Sequence, residues 1–247
     1  MFQLLRVAGI PVRVDLSWLL VFALISWSLA AGYFPRVLAP LSTGGAWLHG
    51  MAAAALLFVS VFLHELFHAL VAREQGVRVL AIRLHVFGGV SELESEPPTP
   101  GAECLIAVVG PLVSFVLAAL CYGLGGAARS RPWALALTGY LVAVNLVVGL
   151  FNLVPGLPLD GGRLLRAMLW WWSGRLDWAT RWARRAGSAF AFILVAIGVA
   201  RGLGGETIGG VWFVLIGLFL YRAARASLTP AGEPETVEQR DTPRRAA

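Results

Sequence analysis

Two histidines and a glutamate lie close together in one of the most apolar stretches of the chain. His64, Glu65 and His68 occur in HELFH, inside the run MAAAALLFVSVFLHELFHALVA. Ionisable side chains are rare inside apolar helices, because desolvating them is costly, and they usually serve a function. Residues four apart on a helix differ by about 40° in direction, so His64 and His68 present their imidazoles from one face. Such a pair is suited to binding one metal ion.

A glutamate directly after the first histidine makes the pattern more specific. The spacing His-Glu-x-x-His on a helix is typical of zinc metalloprotease sites. Glu65 lies beside the pair, where it can accept a proton without occupying a ligand position. A purely structural histidine pair, hydrogen-bonded to nearby carbonyls, would leave Glu65 without a role. Zinc needs a third protein ligand, and the chain offers Asp15, Asp160, Asp177, Glu92, Glu94, Glu96 and Glu103.

Asp160 is the favoured third ligand because of the irregular segment around it. It lies in FNLVPGLPLDGGR (151–163), directly after a long apolar run. Prolines interrupt a helix, and glycines free the backbone that follows. Irregular backbone at membrane depth is tolerated only where it is buried in protein or lines a cavity. The segment therefore predicts a polar site inside the protein.

The composition predicts an integral membrane protein. Of the 247 residues, 58% are hydrophobic and 14% are charged, whereas soluble domains have about 45–50% apolar and roughly 25% charged residues. A span needs roughly 20 apolar residues. We therefore expect an all-α integral membrane protein with about six transmembrane helices, at 16–33, 47–72, 103–124, 133–155, 187–201 and 208–222.

The distribution of arginine predicts the orientation in the membrane. The net charge of +6 would suggest nucleic acid in a soluble protein, but here topology explains it and no nucleic-acid partner is expected. With the N-terminus inside, sixteen of the 20 arginines fall in inside segments. The positive-inside rule then places both termini in the cytoplasm. The second and fourth spans run in the same direction, so His64, His68 and Asp160 arrive at one depth near the cytoplasmic face.

Two segments have the pattern of short strands. Residues 2–15 break at Gly9-Ile10-Pro11, and residues 77–94 break at Gly88-Gly89. Both are expected on the cytoplasmic side, where they could form one small membrane-associated sheet. We expect one transmembrane domain over 1–226 and a disordered cytoplasmic tail over 227–247, which is polar and contains proline.

Several motifs together resemble the site-2 protease family of intramembrane zinc metalloproteases. These are the HELFH motif, the Asn152-x-x-Pro155-x-x-Pro158-x-Asp160-Gly161 segment, DLSW at 15–18, FGGV at 87–90 and GP at 110–111. The resemblance covers roughly residues 2–226. It implies that Zn²⁺ is bound by His64, His68 and Asp160, that Glu65 is the catalytic base, and that Asn152 engages the substrate backbone. Gly88 and Gly89, in the 77–94 hairpin, are expected to contact substrate as well.

The resemblance also implies substrates and a location. Single-span membrane proteins, such as anti-sigma factors, or signal-peptide remnants would be cut within or near their transmembrane segments, in the inner (cytoplasmic) membrane. Phe67 stands where many relatives have glycine, and the Pro155–Pro158 spacing is wider than in many of them. No PDZ-like insertion or CBS pair is visible, which leaves regulation open.

The sequence leaves two alternatives open. An unrelated type of intramembrane zinc protease takes its third ligand from a glutamate on a later helix, but this chain offers no later glutamate inside a span, since Glu206 lies in a loop. A catalytically silent scaffold or a metal transporter would also hold polar residues in the membrane. A transporter should spread them over several spans, and a scaffold should have lost Glu65 or a ligand.

Overall fold

Long apolar runs form helices because no water is available in a bilayer to hydrogen-bond an open backbone. The computed structural model describes residues 2–85 and 88–226. The helices are α1 (Ser17–Ser28), α2 (Phe34–Val37), α3 (Thr43–Glu74), α4 (Pro100–Ala127), α5 (Pro132–Asn152), α6 (Asp160–Ser173), α7 (Leu176–Leu203) and α8 (Thr207–Ala226). A π-helical turn, Leu29–Tyr33, joins α1 to α2.

Five helical segments of the described residues are long and apolar enough to cross a membrane. They are Ser17–Val37, Thr43–Glu74, Pro100–Ala127, Pro132–Asn152 and Leu176–Leu203. These segments contain or overlap the first five predicted spans, which supports a multi-pass membrane protein. The sixth predicted span, 208–222, lies in α8, which is not among the five, so that span stays a prediction. The predicted tail, 227–247, lies outside the described residues.

The two predicted hairpins join into one four-stranded sheet, as expected. The strands are β1 (Phe2–Val7), β2 (Ile10–Val14), β3 (Val79–His85) and β4 (Gly88–Leu93), in the order β1-β2-β3-β4. The β2–β3 pair is parallel, and the other two pairs are antiparallel. The sheet therefore has two edge strands, β1 and β4.

The predicted break points need correction. The first turn lies at Ala8 and Gly9, which both have positive φ, while Ile10 and Pro11 already belong to β2. The pyrrolidine nitrogen of Pro11 cannot donate to a strand ladder, yet no break results. In the second hairpin the predicted break at Gly88-Gly89 is wrong, because these glycines begin β4 and pair with His85 and Leu84.

The sheet packs on α3 at the level of the HELFH motif. Strand residues Val12, Val14 and Ile82 are buried against Leu66 and Ala69 of α3. These two α3 residues point away from His64 and His68, so α3 has a sheet-facing side and a histidine-facing side. The histidine side meets α4, which begins at an N-cap where Thr99 Oγ1 accepts a hydrogen bond from Ala102 N (3.1 Å). Helices α3 and α4 are thus the main elements that position the site.

Candidate metal centre

Three side chains from two distant parts of the chain meet at one point. The Nε2 atoms of His64 and His68 lie 3.1 Å apart, and Asp160 Oδ2 lies 3.1 Å from the first and 3.2 Å from the second. All three residues are buried. The residues predicted as metal ligands are therefore brought together, and these atoms form the one cluster within the described residues that could hold a metal ion.

Helix α4 orients both imidazole rings through their other nitrogen atoms. His68 Nδ1 lies 2.6 Å from the carbonyl oxygen of Ile106, and His64 Nδ1 lies 2.9 Å from Ser114 Oγ. A carbonyl oxygen only accepts, so His68 Nδ1 must carry the proton. In a neutral ring this leaves a lone pair on His68 Nε2, directed into the cluster. Partners of this kind fix the tautomer and orientation of histidines that bind metals.

The cluster needs a cation. The lone pair of His68 Nε2 meets a second imidazole nitrogen and a carboxylate oxygen at 3.1–3.2 Å, an arrangement that is repulsive unless a proton or a metal ion lies among them. Zinc with tetrahedral bonds of about 2.0–2.2 Å places its ligand atoms about 3.3–3.6 Å apart. Two imidazoles and one carboxylate are also a typical ligand set of catalytic zinc. The residues present therefore fit a zinc ion.

A glycine makes room for the cluster. Gly110 of α4 lies midway between Ile106 and Ser114, four residues from each, so the three share one helix face. A Cβ atom at Gly110 would lie 2.1 Å from His68 Nε2 and 2.5 Å from His64 Nε2. Any side chain here would occupy the place of the ligand atoms. The GP pair at 110–111, noted in the sequence, thus has a steric reason for its glycine.

Asp160 is positioned by a tightly packed loop. It is the first residue of α6, where a carboxylate is favoured by the positive end of the helix dipole. The preceding loop, 153–159, packs against α7, with Leu157 N donating to Ala183 O (3.1 Å). A Cβ at Gly187 would lie 1.9 Å from Leu157 O. Glycine on α7 therefore lets the helix approach this loop backbone closely.

A buried ion pair holds the rest of α6. Arg166 contacts Glu103 Oε1 at 2.5 Å and Glu96 Oε2 at 2.7 Å. Glu103 is fully buried near the start of α4, and Arg166 is also buried. The helix that carries Asp160 is thereby fastened to the same helix that orients the histidines.

The other carboxylates weighed as ligands are mostly engaged elsewhere. Glu92 pairs with Arg83, and Glu94 with Arg78. Asp15 Oδ1 accepts from Ser17 N (2.9 Å) at the start of α1, and hydrogen bonding from Ser17 holds the pKa of Asp15 below its usual value. Asp177 lies in the first turn of α7. Asp160 is therefore the carboxylate that the fold delivers to the histidines.

Glu65 is a residue of α3, and its side chain contacts the edge strand β4. Ser91 Oγ of β4 lies 3.0 Å from Glu65 O and 3.1 Å from Glu65 Oε2. A Cβ at Gly89 would lie 2.3 Å from Glu65 Cγ. β4 therefore supports the predicted base from one side, and Gly89 has a packing reason to be glycine.

Asn152 ends α5 and is half-buried. Its Nδ2 donates to Val148 O (3.0 Å), within its own helix. The described contacts do not join it to His64, His68 or Asp160. Its predicted contact with substrate, and those of Gly88 and Gly89, remain predictions.

The residues that support the ligands were not predicted from the sequence. Ser114 was not singled out, although it is a polar residue in an apolar helix and lies four residues after Gly110. Ser91 and Arg166 were also missed as partners. A serine or an arginine has no fixed distance along the chain from the group it supports, so the sequence carried little signal for them.

Comparisons with known proteins agree with this geometry. A model of peptidase family M50 matches residues 52–131 and 125–194. Two relatives carry the name zinc metalloprotease: Rip3 of Mycobacterium tuberculosis, 42% identical over 234 residues, and sll0528 of Synechocystis, 40% identical over 235 residues. The matches cover 91% and 93% of this chain but only 58% and 60% of the relatives, so the chain spans about three fifths of their length.

The fold also matches a solved structure, the site-2 protease from Methanocaldococcus jannaschii. The two chains are 30% identical, with a TM-score of 0.64, and the match covers 96% of this chain and 99% of that one. Zinc is therefore the cofactor implied for this chain, as the resemblance predicted, and the donor set fits it. The chain belongs to peptidase family M50, the site-2 protease family.

Proposed function

We propose that this protein is a zinc-dependent endopeptidase that hydrolyses peptide bonds within or near transmembrane segments of other membrane proteins. The observation that carries the proposal is the convergence of Asp160 Oδ2 with His64 Nε2 and His68 Nε2 of α3, a helix that is apolar enough to span a membrane and that also carries Glu65. These three atoms are the proposed zinc ligands. A bound zinc ion is a Lewis acid that polarises a carbonyl and acidifies a water molecule.

Glu65 acts as the base in this proposal. Its carboxylate takes a proton from the attacking water molecule and later gives it to the nitrogen of the leaving amine. Ser91 donates to Glu65, either to its carboxylate or to its backbone carbonyl, and β4 packs on its side chain. These contacts restrict the rotamers of Glu65, so that the carboxylate is held ready before substrate arrives.

The edge strand β4 is the proposed docking site for substrate. A transmembrane helix hides its peptide bonds in internal hydrogen bonds and must unwind before attack. The extended segment then needs new partners, and a free strand edge supplies them by β-augmentation. β4 is at the edge of the sheet and lies directly against Glu65. Gly88 and Gly89 would line this edge, and Asn152 would hydrogen-bond the substrate backbone from the other side.

The proposed topology rests on the apolar runs and the arginine distribution, and the proposed location and substrates rest on membership of the family. We propose six spans, with α8 as the last, both termini in the cytoplasm, and residence in the inner membrane. The substrates would be single-span membrane proteins of the anti-sigma-factor type or signal-peptide remnants.

Reporter fusions after Arg225 and within 125–132 test the proposed topology, because they should report opposite sides of the membrane. A periplasmic signal at Arg225 would refute this topology.

The decisive experiment is the Glu65→Gln variant of the purified chain with a model transmembrane substrate. Loss of a general base typically costs about 10²–10⁴-fold in rate. We expect cleavage to fall by at least this factor while zinc content stays at the wild-type level, because Glu65 is not a ligand. Cleavage at the wild-type rate, with contaminating proteases excluded, would make the mechanism wrong. Nothing in the described residues favours a silent scaffold or a transporter. Cleavage by Glu65→Gln at the wild-type rate would favour one of these alternatives.

A further inference from the structure

A stripe of alternating arginine and tryptophan begins at Arg175, the N-cap of α7, and runs along the first turns of that helix. We call it the Arg–Trp stripe, and it consists of Arg175, Trp178, Arg181, Trp182 and Arg185. Positions three and four apart lie on one helix face. The rings of Trp178 and Trp182 lie 6.1 Å apart, and the guanidinium of Arg185 lies 5.0 Å from the Trp182 ring. The stripe is therefore one continuous surface.

The stripe extends onto the end of α6. The ring of Trp172 lies 6.3 Å from that of Trp178, across the turn at Gly174. Trp171 and Trp172 are 83% and 81% exposed. Large aromatic side chains left this open are unusual on a surface that faces only water, and tryptophan is enriched where a membrane meets water.

The positive charge of the stripe has no partner in the described part of the chain. The arginines that pair there with carboxylates are Arg78, Arg83, Arg166 and Arg201. Arg175, Arg181 and Arg185 are exposed and form no such pair. The nearest acidic residue in sequence, Asp177, also lies outside those pairs. Three guanidinium groups within about three turns thus leave a concentrated positive surface.

The opposite face of the same helix is rigidly packed. Ala179, Ala183 and Gly187 are buried, and Ala183 O accepts from Leu157 N in the loop before Asp160. The helix backbone that carries the stripe is therefore held in place by contacts on its other side. A fixed backbone keeps the positions of the stripe residues relative to one another when a ligand binds, which lowers the entropic cost of binding.

We propose that the Arg–Trp stripe binds the headgroups of anionic phospholipids. Guanidinium groups bind phosphate oxygens in a bidentate manner, and the tryptophans fit the glycerol level beside them. Arginines at this position are attracted to the negative membrane surface, and each raises the affinity for anionic lipid by about fivefold. α7 is a candidate span whose apolar part follows the stripe directly, so the stripe lies where headgroups would meet the helix.

The test compares lipid retention by the purified full chain in neutral detergent, measured by native mass spectrometry. Phosphatidylglycerol and phosphatidylcholine with identical acyl chains are supplied at equal concentrations. The wild type should retain phosphatidylglycerol preferentially. The triple variant Arg175→Gln, Arg181→Gln, Arg185→Gln should lose more than about tenfold of this preference, given about fivefold per arginine. The single variant Arg181→Gln should lose about fivefold, which keeps the test valid if the triple variant does not fold.

The matched control removes the same charge elsewhere. Arg36, Arg129 and Arg131 are exposed and lie away from the stripe, so their triple change to Gln should leave the preference intact. The proposal is overturned if the control loses as much as the stripe variant, or if the stripe variants keep the wild-type preference. Equal retention of the two lipids by the wild type would also overturn it. So would loss of the preference in millimolar inorganic phosphate, since the stripe would then be a site for a free anion.

Discussion

The two halves of the metal cluster are built in different ways. His64 and His68 lie one turn apart on the regular helix α3, and the regular helix α4 meets them with Ile106, Gly110 and Ser114 at intervals of four. Asp160 follows a loop without helical register, and it depends on close packing against α7 and on the Arg166 ion pair. One half is set by helical periodicity, and the other by tertiary contacts.

The difference explains which structural changes each half of the cluster tolerates. In the α3–α4 half the critical property is the distance between two backbones, because both ring nitrogens lie against Gly110. In the Asp160 half the critical property is the position of α6, because a shift of the helix moves the carboxylate away from both histidines. Changes to the first half should therefore act on the metal, and changes to the second half should act first on stability.

The Gly110→Ala variant should have the largest effect on zinc. The added Cβ would lie 2.1 Å from His68 Nε2, where neither ring can remain in place. We expect zinc in the purified protein to fall close to zero by metal analysis. Gly123→Ala is the matched control on the same helix, since a Cβ there meets nothing within 4 Å. Full zinc content in Gly110→Ala would refute the close approach of α4 to the ligands.

The Arg166→Met variant should break the Asp160 half through stability. It leaves the Glu103 carboxylate buried without its cation, which typically costs roughly 3–5 kcal/mol. We expect a lower midpoint in thermal unfolding, with zinc content reduced less than in Gly110→Ala. The double variant Arg166→Met/Glu103→Met should recover much of the loss, because an apolar pair of similar size often replaces a buried ion pair without cost. Unchanged stability of Arg166→Met would show that the ion pair does not hold α6.

The Ser114→Ala variant should have a smaller effect, confined to the metal. It removes the partner of His64 Nδ1 but leaves all three proposed ligands in place. Loss of such a partner typically lowers metal affinity about 10- to 100-fold, which competition with a zinc chelator would measure. Ser60→Ala is the control, because Ser60 is a serine of α3 that bonds Leu56 and Asn145 instead. If both variants bind zinc equally well, Ser114 does not orient His64.

Much of the site could be predicted from the sequence because its chemistry is rare in its surroundings. Two imidazoles and several carboxylates stand out in a chain that is 58% hydrophobic, and the helical period fixes how His64 and His68 relate to each other. The pairing of the two β-hairpins into one sheet was also foreseen. The exact turn residues were not, because Gly88 and Gly89 begin β4, where Gly89 packs against Glu65.

The sequence by itself predicted the apolar helices, the histidine pair on one face of α3 and Asp160 as its proposed partner, because each prediction depends on local composition or on the helical period. Only the tertiary structure decided which groups hold these residues. Ser114 and Ile106 O orient the rings, Ser91 contacts Glu65, and Arg166 secures α6. Such contacts join residues up to 70 positions apart. Those around the histidines and Glu65 depend on close approach of the backbones at Gly110 and Gly89, which no spacing rule predicts.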